Sequence, residues 1–316
     1  MGSDIGSSNV GRGVEFVKGH GTQNDFVVLF DADGAFEPSE GQVRALCDRR
    51  RGLGADGVLR AVPDASGAWF MDYRNADGSV AEMCGNGSRL FAVALRDAGL
   101  VDADEFPIVT RGGVRQARIG SYDGSSWTVS MSMGAAHTSE QAVSVCVLDD
   151  GRPSPDREWP AMPVWVPNPH AVVVVHDLAE AGRLTVAPQV LPQSVFPDGV
   201  NVEFVVDRGL DPVNDDGTPR IGMRVHERGV GETRSCGTGA VAAAWAWRRR
   251  VDGVANTGSS NNTRSSSTQS NDTVRVDVPG GTVYVTEHDD GELSLTGPAV
   301  IVARGRLDEQ WWKENA

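Results

Sequence analysis

The chain has 316 residues, enough for one large domain or for two that each bury a core. Its formal charge of -14 gives no encouragement to nucleic acid or to an anionic membrane, although a local pocket can oppose that sign for a small anionic substrate. It contains no run of about 18 apolar residues, so no membrane span is expected, and the polar stretch 1–13 lacks the apolar segment of an export signal and reads as a disordered arm.

Val14–Lys18 and Asp25–Leu29 read as short strands flanking a polar turn, Gly19–Asn24, which is either a plain connection or a means of presenting Asn24 to a ligand. Pro38–Cys47 reads as a helix with Ser39 as N-cap and Val43, Leu46 and Cys47 on its apolar side. The glycine-rich segment 52–57 does not have the spacing of a dinucleotide fingerprint and is expected to run as a loop into a strand over 58–62. Trp69–Arg74 is a strand and Asn75–Ser79 a turn that leads directly to Cys84, so that Asn75 is expected near it. Phe106–Thr110, Gly113–Ile119 and Trp127–Met133 alternate as strands, with a boundary near Met133-Gly134. Strands outnumber helices and tight turns join them, which favours mostly antiparallel sheet.

The second half repeats the mixture. Ala142–Leu148 is a strand and Gly151–Pro160 a proline- and acid-rich loop. Pro167-Asn168-Pro169-His170 frames Asn168 and His170 rigidly before the strand Ala171–His176. Strands follow at Val202–Val206 and Ile221–Val225. The low-complexity stretch Gly253–Asp272 cannot build a core and reads as a mobile loop. A hairpin turns at Pro279-Gly280, and two further strands cover Glu292–Thr296 and Val300–Ala303. Trp311 and Trp312 suit either a docked tail or an interface.

Four cysteines are present, at 47, 84, 146 and 236, without metal-ligand spacing, so no metal is expected. Cys47 and Cys146 read as small buried hydrophobes. Cys84 and Cys236 are different, because each is followed by Gly-x-Gly and then an apolar, alanine-containing run: Cys84-Gly85-Asn86-Gly87 and Cys236-Gly237-Thr238-Gly239. Both read as a cysteine at a helix start, where unpaired N–H groups and partial positive charge stabilise a thiolate and lower its pKa. A cysteine hydrolase with His170 or His226 as base would leave the second motif unexplained. A redox pair lacks the Cys-x-x-Cys arrangement, and a non-catalytic binding protein is a further reading. Two thiols on opposite faces of one carbon, one removing a proton and the other supplying one, explain the duplication best and demand no cofactor.

The segments Phe16–Phe26, Asp48–Leu59, Tyr73–Phe91, Asn168-Pro169-His170, Phe196–Glu203 and His226–Ala240 resemble the diaminopimelate epimerase family. The resemblance implies an α/β (α+β) fold of two pseudo-symmetric domains, each a mostly antiparallel sheet wrapped around a central helix. It places residues 14–134 and 299–309 in one domain and 135–298 in the other. It also implies epimerisation of LL- to meso-diaminopimelate without pyridoxal phosphate or metal, by Cys84 as base on the LL isomer and Cys236 as the opposing acid. Gly85, Asn86, Gly237 and Thr238 match the loops that hold the reacting carboxylate and amine. Asn24, Asn75, Asn168, Asn201, Glu227 and Arg228 match the rest of the substrate cage, and His170 and Glu227 match residues associated with tuning the thiols. The related alternative is a two-cysteine racemase for another amino acid. A cytoplasmic homodimer, with neither nucleic acid nor membrane as partner, is expected. Two departures from the family pattern stand out: Val166-Pro167 before the Asn-Pro-His segment, and Gly57 where many members carry glutamine.

Overall fold

The structure, a computed structural model, describes residues 13–149, 152–213, 217–257 and 272–316. It divides into two compact units: residues up to Ser132 together with Thr296–Ala316, and Met133–Leu295.

Unit 1 contains strands β1 (Glu15–Gly21), β2 (Asn24–Phe30), β3 (Gly57–Pro63), β4 (Trp69–Asn75), β5 (Glu105–Thr110), β6 (Gly113–Tyr122) and β7 (Trp127–Ala135), with helices α1 (Glu40–Cys47) and α2 (Gly85–Asp97). Neighbouring strands pair in chain order from β1 to β7, antiparallel except for the parallel pairs β2/β3 and β4/β5. Every residue of α2 from Gly85 to Leu95 is buried, as expected of a helix enclosed by its sheet rather than laid upon it; α2 packs on β1, β2, β3 and β6. Helix α1 starts at Ser39 with a full capping box: Gln42 N donates to Ser39 Oγ at 3.1 Å and Ser39 N to Gln42 Oε1 at 2.9 Å.

Unit 2 contains β8 (His137–Thr138), β9 (Val143–Asp149), β10 (Arg152–Trp165), β11 (Pro169–Val174), β12 (Gln189–Leu191), β13 (Asn201–Leu210), β14 (Pro219–Glu227), β15 (Gly231–Thr233), helix α3 (Gly237–Thr257), β16 (Thr273–Val278) and β17 (Gly281–Glu287). Its main order is β12-β9-β10-β11-β13-β14-β16-β17, with β11/β13 and β14/β16 parallel and the other neighbours antiparallel. Residues Ala240–Trp247 of α3 are buried, and the helix packs on β10, β11, β13, β14, β16 and β17. The two units share one plan. In each, two parallel pairs flank a central antiparallel pair, and the helix lies between the strands of the second parallel pair, as β4-α2-β5 and β14-α3-β16.

The chain ends in β18 (Glu292–Arg306) and α4 (Glu309–Glu314). From His20 to Glu15, β1 pairs antiparallel with the Val300–Arg306 part of β18. Trp312 is buried with Val43 and Leu46 of α1, its ring edge-on to Phe36, and Gln42 Nε2 donates to its carbonyl at 2.9 Å. The tryptophans thus dock the tail on α1.

Four expectations need correction. The β1–β2 turn is only Thr22-Gln23, with φ of 48° and 62°, the left-handed pair that a tight hairpin uses; Gly19–Gly21 and Asn24 lie in the strands. The supposed loop Gly151–Pro160 is largely strand from Arg152 onward, and its register breaks between Pro153 and Glu158, where Pro155 falls in the interruption. Residues 292–306 form one strand rather than two. Residues 253–257 of the supposed mobile loop continue α3, while 258–271 lie outside the described residues, as does the arm 1–12.

Candidate active site

In unit 1, Cys84 is the N-cap residue of α2, with extended backbone (φ -138°, ψ 118°) and no capping bond from its side chain. Its Sγ is 3.5 Å from Asn24 Oδ1, which also accepts from Asn86 Nδ2 at 3.2 Å. The hairpin turn delivers Asn24 to this position, and Asp56 fixes its orientation: Asn24 Nδ2 donates to Asp56 Oδ2 at 2.7 Å. A carboxylate accepts only, so the amide oxygen of Asn24 must face the thiol. Asn86 is fixed in the same way, because its Oδ1 accepts from Thr22 Oγ1 at 3.1 Å and from Arg89 Nη2 at 2.9 Å. Arg89 is fully buried among Thr22, Asn86 and the carbonyls of Gly85 and Pro298. Burial lowers its pKa to about 10, opposed by charge interaction with Cys84.

Asn75 closes β4 and donates from Nδ2 to Ser79 Oγ at 3.0 Å. Cys84 contacts Asn24, and Asn75 ends the strand that the β4-α2 connection joins to Cys84. Gly57 opens β3 opposite Asn75. A methyl group there would lie 2.6 Å from Arg74 O, so the backbone occupies the room a glutamine side chain would need.

In unit 2, parallel β11 and β13 set His170 beside Asn201. Cys236 immediately precedes α3. Its sulphur accepts from Gly239 N at 3.3 Å and lies 3.6 Å from Thr238 Oγ1, so here the side chain does cap the helix. The expectation of a lowered thiol pKa fails for Cys236: burial pushes it well above the ordinary thiol value, and the charges of Glu227 and Glu203 raise it further, against the bonds from Thr238 and Gly239. The helix-start effect is outweighed. Glu227 ends β14 and takes a short hydrogen bond from Thr233 Oγ1; burial raises its pKa and Glu203 adds to this. His170 is fully buried, with Nδ1 2.7 Å from Glu203 Oε1 and Nε2 3.2 Å from Asn168 Oδ1. Asn201 Oδ1 accepts from Arg228 N at 2.8 Å, while the exposed Arg228 guanidinium donates from Nη1 to Asp198 O at 3.1 Å.

Sequence reasoning named the cysteines and amides but assigned no role to Asp56, Thr22, Arg89, Glu203 or Thr233. Two of these carried a signal. Arg89 precedes Leu90 in an otherwise enclosed helix, and Glu203 sits between Val202 and Phe204 in an apolar strand. Charges in such frames are rarely buried without a purpose. Of the other cysteines, Cys47 is buried and its thiol is pushed up to about 12, chiefly by burial, and Cys146 is buried in β9. Among the described residues no group of three or more His, Cys, Asp or Glu is placed to hold a metal.

Solved structures share this architecture. A PhzF-family phenazine biosynthesis protein from Bacillus anthracis superposes with a TM-score of 0.63 at 17% identity, covering 93% of this chain and 99% of that one. A hydroxyproline epimerase from Agrobacterium vitis gives 0.58 at 15% identity, covering 96% and 95%. Two pseudo-symmetric units, each with a cysteine at the entrance to its central helix, place the protein in this α/β fold class. In sequence, the family model described as diaminopimelate epimerase matches residues 16–139 and 164–302. Proteins named diaminopimelate epimerase from Streptomyces coelicolor and Rhodococcus opacus are 48% and 43% identical, over 94% and 95% of this chain and 96% and 99% of their own lengths. The chain belongs to the diaminopimelate epimerase family.

Proposed function

We infer that the protein is an isomerase of amino-acid metabolism that converts LL-2,6-diaminopimelate to meso-2,6-diaminopimelate, a step of lysine and peptidoglycan-precursor biosynthesis. The observation that carries this reading is the recurrence of a cysteine at the entrance of each central helix, inside the segments that match the family. In the proposed reaction the Cys84 thiolate takes the α-proton, so that the C–H bond breaks and an S–H bond forms. The Cys236 thiol then gives its proton to the opposite face of the same carbon and is left as thiolate. The reverse reaction exchanges the roles. A Cys236 thiol that holds its proton firmly fits the acid role in this direction. The first N–H groups of α2 at Gly85 and Asn86, and of α3 at Gly237 and Thr238, suit the reacting carboxylate and the charge that develops on it.

The distal centre needs a zwitterion cage. Arg228 offers an exposed fork for a carboxylate and Glu227 answers an ammonium, with Asn75, Asn168 and Asn201 supplying further hydrogen bonds, His170 bracing Asn168, and Asn24 serving the reacting end beside Cys84. In heavy water, deuterium should enter the α-position of LL- and meso-diaminopimelate. Cys84→Ala and Cys236→Ala should each abolish epimerisation, and full epimerisation by either variant would sink the two-base reading. Arg228→Met should cost about 2–5 kcal/mol in kcat/KM while leaving the melting curve unchanged. Rapid exchange on an apolar amino acid, indifferent to Arg228→Met, would shift the assignment to a racemase of another substrate. The proposed chemistry requires two reduced thiols, which supports a cytoplasmic location. The family resemblance supports a homodimer.

A further inference from the structure

Beneath Cys236 lies a residue for which the reaction as described has no use. Glu203, the third residue of β13, is fully buried. One of its oxygens, Oε1, is 2.7 Å from His170 Nδ1. The other, Oε2, is buried without a hydrogen-bond partner among the described residues. An orphaned carboxylate oxygen is costly, more so than for a neutral group, and such a group in a well-packed site calls for a reason. Its position supplies one. A methyl group placed on Gly239 would lie 2.7 Å from Glu203 Oε1 and 3.2 Å from Cys236 Sγ, so carboxylate and sulphur meet across this single glycine in the first turn of α3.

We propose that Glu203 is a positioning residue of the second half-site: it anchors His170, and through it Asn168, and its charge keeps Cys236 in the thiol form that the acid role requires. The proposal rests on the two-thiol reading above. The groups that face Cys236 or Glu203 are Glu227 from β14, His170 from β11, and Thr238 with the Gly239 N–H from α3. His170 takes up Oε1 alone, which leaves Oε2 without a hydrogen-bond donor among the described residues. Glu203 and Glu227 both act to raise the Cys236 thiol, and of the two only Glu203 has no proposed contact with substrate.

The test follows alkylation of the Cys236-containing peptide by iodoacetamide as a function of pH, on the full chain and without substrate. In the wild type the midpoint should lie above that of an ordinary thiol, about 8.5. In Glu203→Gln, which keeps size and hydrogen bonding but removes the charge, it should fall by roughly 1–3 pH units. The alkaline limb of kcat/KM should move the same way. Glu203→Asp, which keeps the charge but not the reach to His170, should lower kcat and leave the alkylation midpoint near that of the wild type. A merely structural Glu203 would lower activity evenly at all pH values with the midpoint unmoved, and that result overturns the proposal. If Glu203→Gln does not fold, an ordinary or lower midpoint in the wild type overturns it equally, and a raised midpoint retained in Glu203→Asp supports it. Because alkylation needs no turnover, loss of the epimerase reading itself would appear separately, as absent α-deuterium incorporation by the wild type.

Discussion

Cys84 and Cys236 occupy equivalent positions before equivalent helices and are treated oppositely by their surroundings. Cys84 sits over a buried cation, with Arg89 held by neutral acceptors and linked to the thiol through Asn86 and Asn24. Cys236 sits over two carboxylates. The difference has a thermodynamic consequence at Glu227, whose folded pKa is raised by burial first and Glu203 second. A carboxyl raised in this way binds its proton more tightly folded than unfolded. Its contribution to stability is present in full below the unfolded value near 4.3 and is lost as pH rises toward the folded one. Glu227→Gln should therefore match the wild type in urea unfolding at pH 4 and become the more stable of the two as pH rises above the ordinary carboxyl range. Its kcat should fall by on the order of 100-fold or more. A variant less stable than the wild type at pH 7 would contradict the electrostatic account.

At the level of elements, the two Gly-x-Gly motifs look alike in letters and differ in what they pack against. A methyl group on Gly87 would meet Leu59 Cδ1 and Phe26 Cζ at 3.4 Å, ordinary contacts of a helix on its sheet. Gly239 has no such room. Gly87→Ala should melt at or above the wild-type temperature, since alanine favours helix. Gly239→Ala should lose about 1–3 kcal/mol to overpacking, and equal melting temperatures for the two variants would show that the helix–strand spacing at Gly239 is not tight. The pattern of residues revealed one part of this and hid the other. Ser39 and Gln42 announce the start of α1 because a capping box is local, and Cys84 and Cys236 announce helix entrances because Gly-x-Gly follows each. The setting of Cys236 is not local. Glu203 and His170 lie on neighbouring parallel strands in the order β11-β13, and only that pairing brings them under α3. Pro153, Pro155 and Pro160 misled for a related reason: they speak for a loop unless the partner strand and its broken register are known.

Across the whole molecule, the repeated strand plan accounts for the paired chemistry: Asn75 ends β4 as Glu227 ends β14, and Gly57 opens β3 as Asn201 opens β13. Equivalent positions of the plan therefore hold different side chains, so the proposed ligands do not repeat from one unit to the other. The proposed homodimer is checked by sedimentation at several concentrations, where a monomer at every concentration would reject it. The pairing of β1 with β18 and the seating of Trp312 on α1 also bear on how the protein is made. Unit 2 has all its strands once Leu295 has been synthesised, whereas unit 1, though begun first, waits for residues 296–316. Order of synthesis and order of completion are thus reversed, and the early unit must stay open at its β1 edge, a natural place for a chaperone or for mispairing to intervene. A nascent chain arrested after Leu295 should already protect the amides of β13 and β14 from hydrogen exchange while those of β1 and α1 exchange freely. Protection of β1 at that length would show that unit 1 closes without β18.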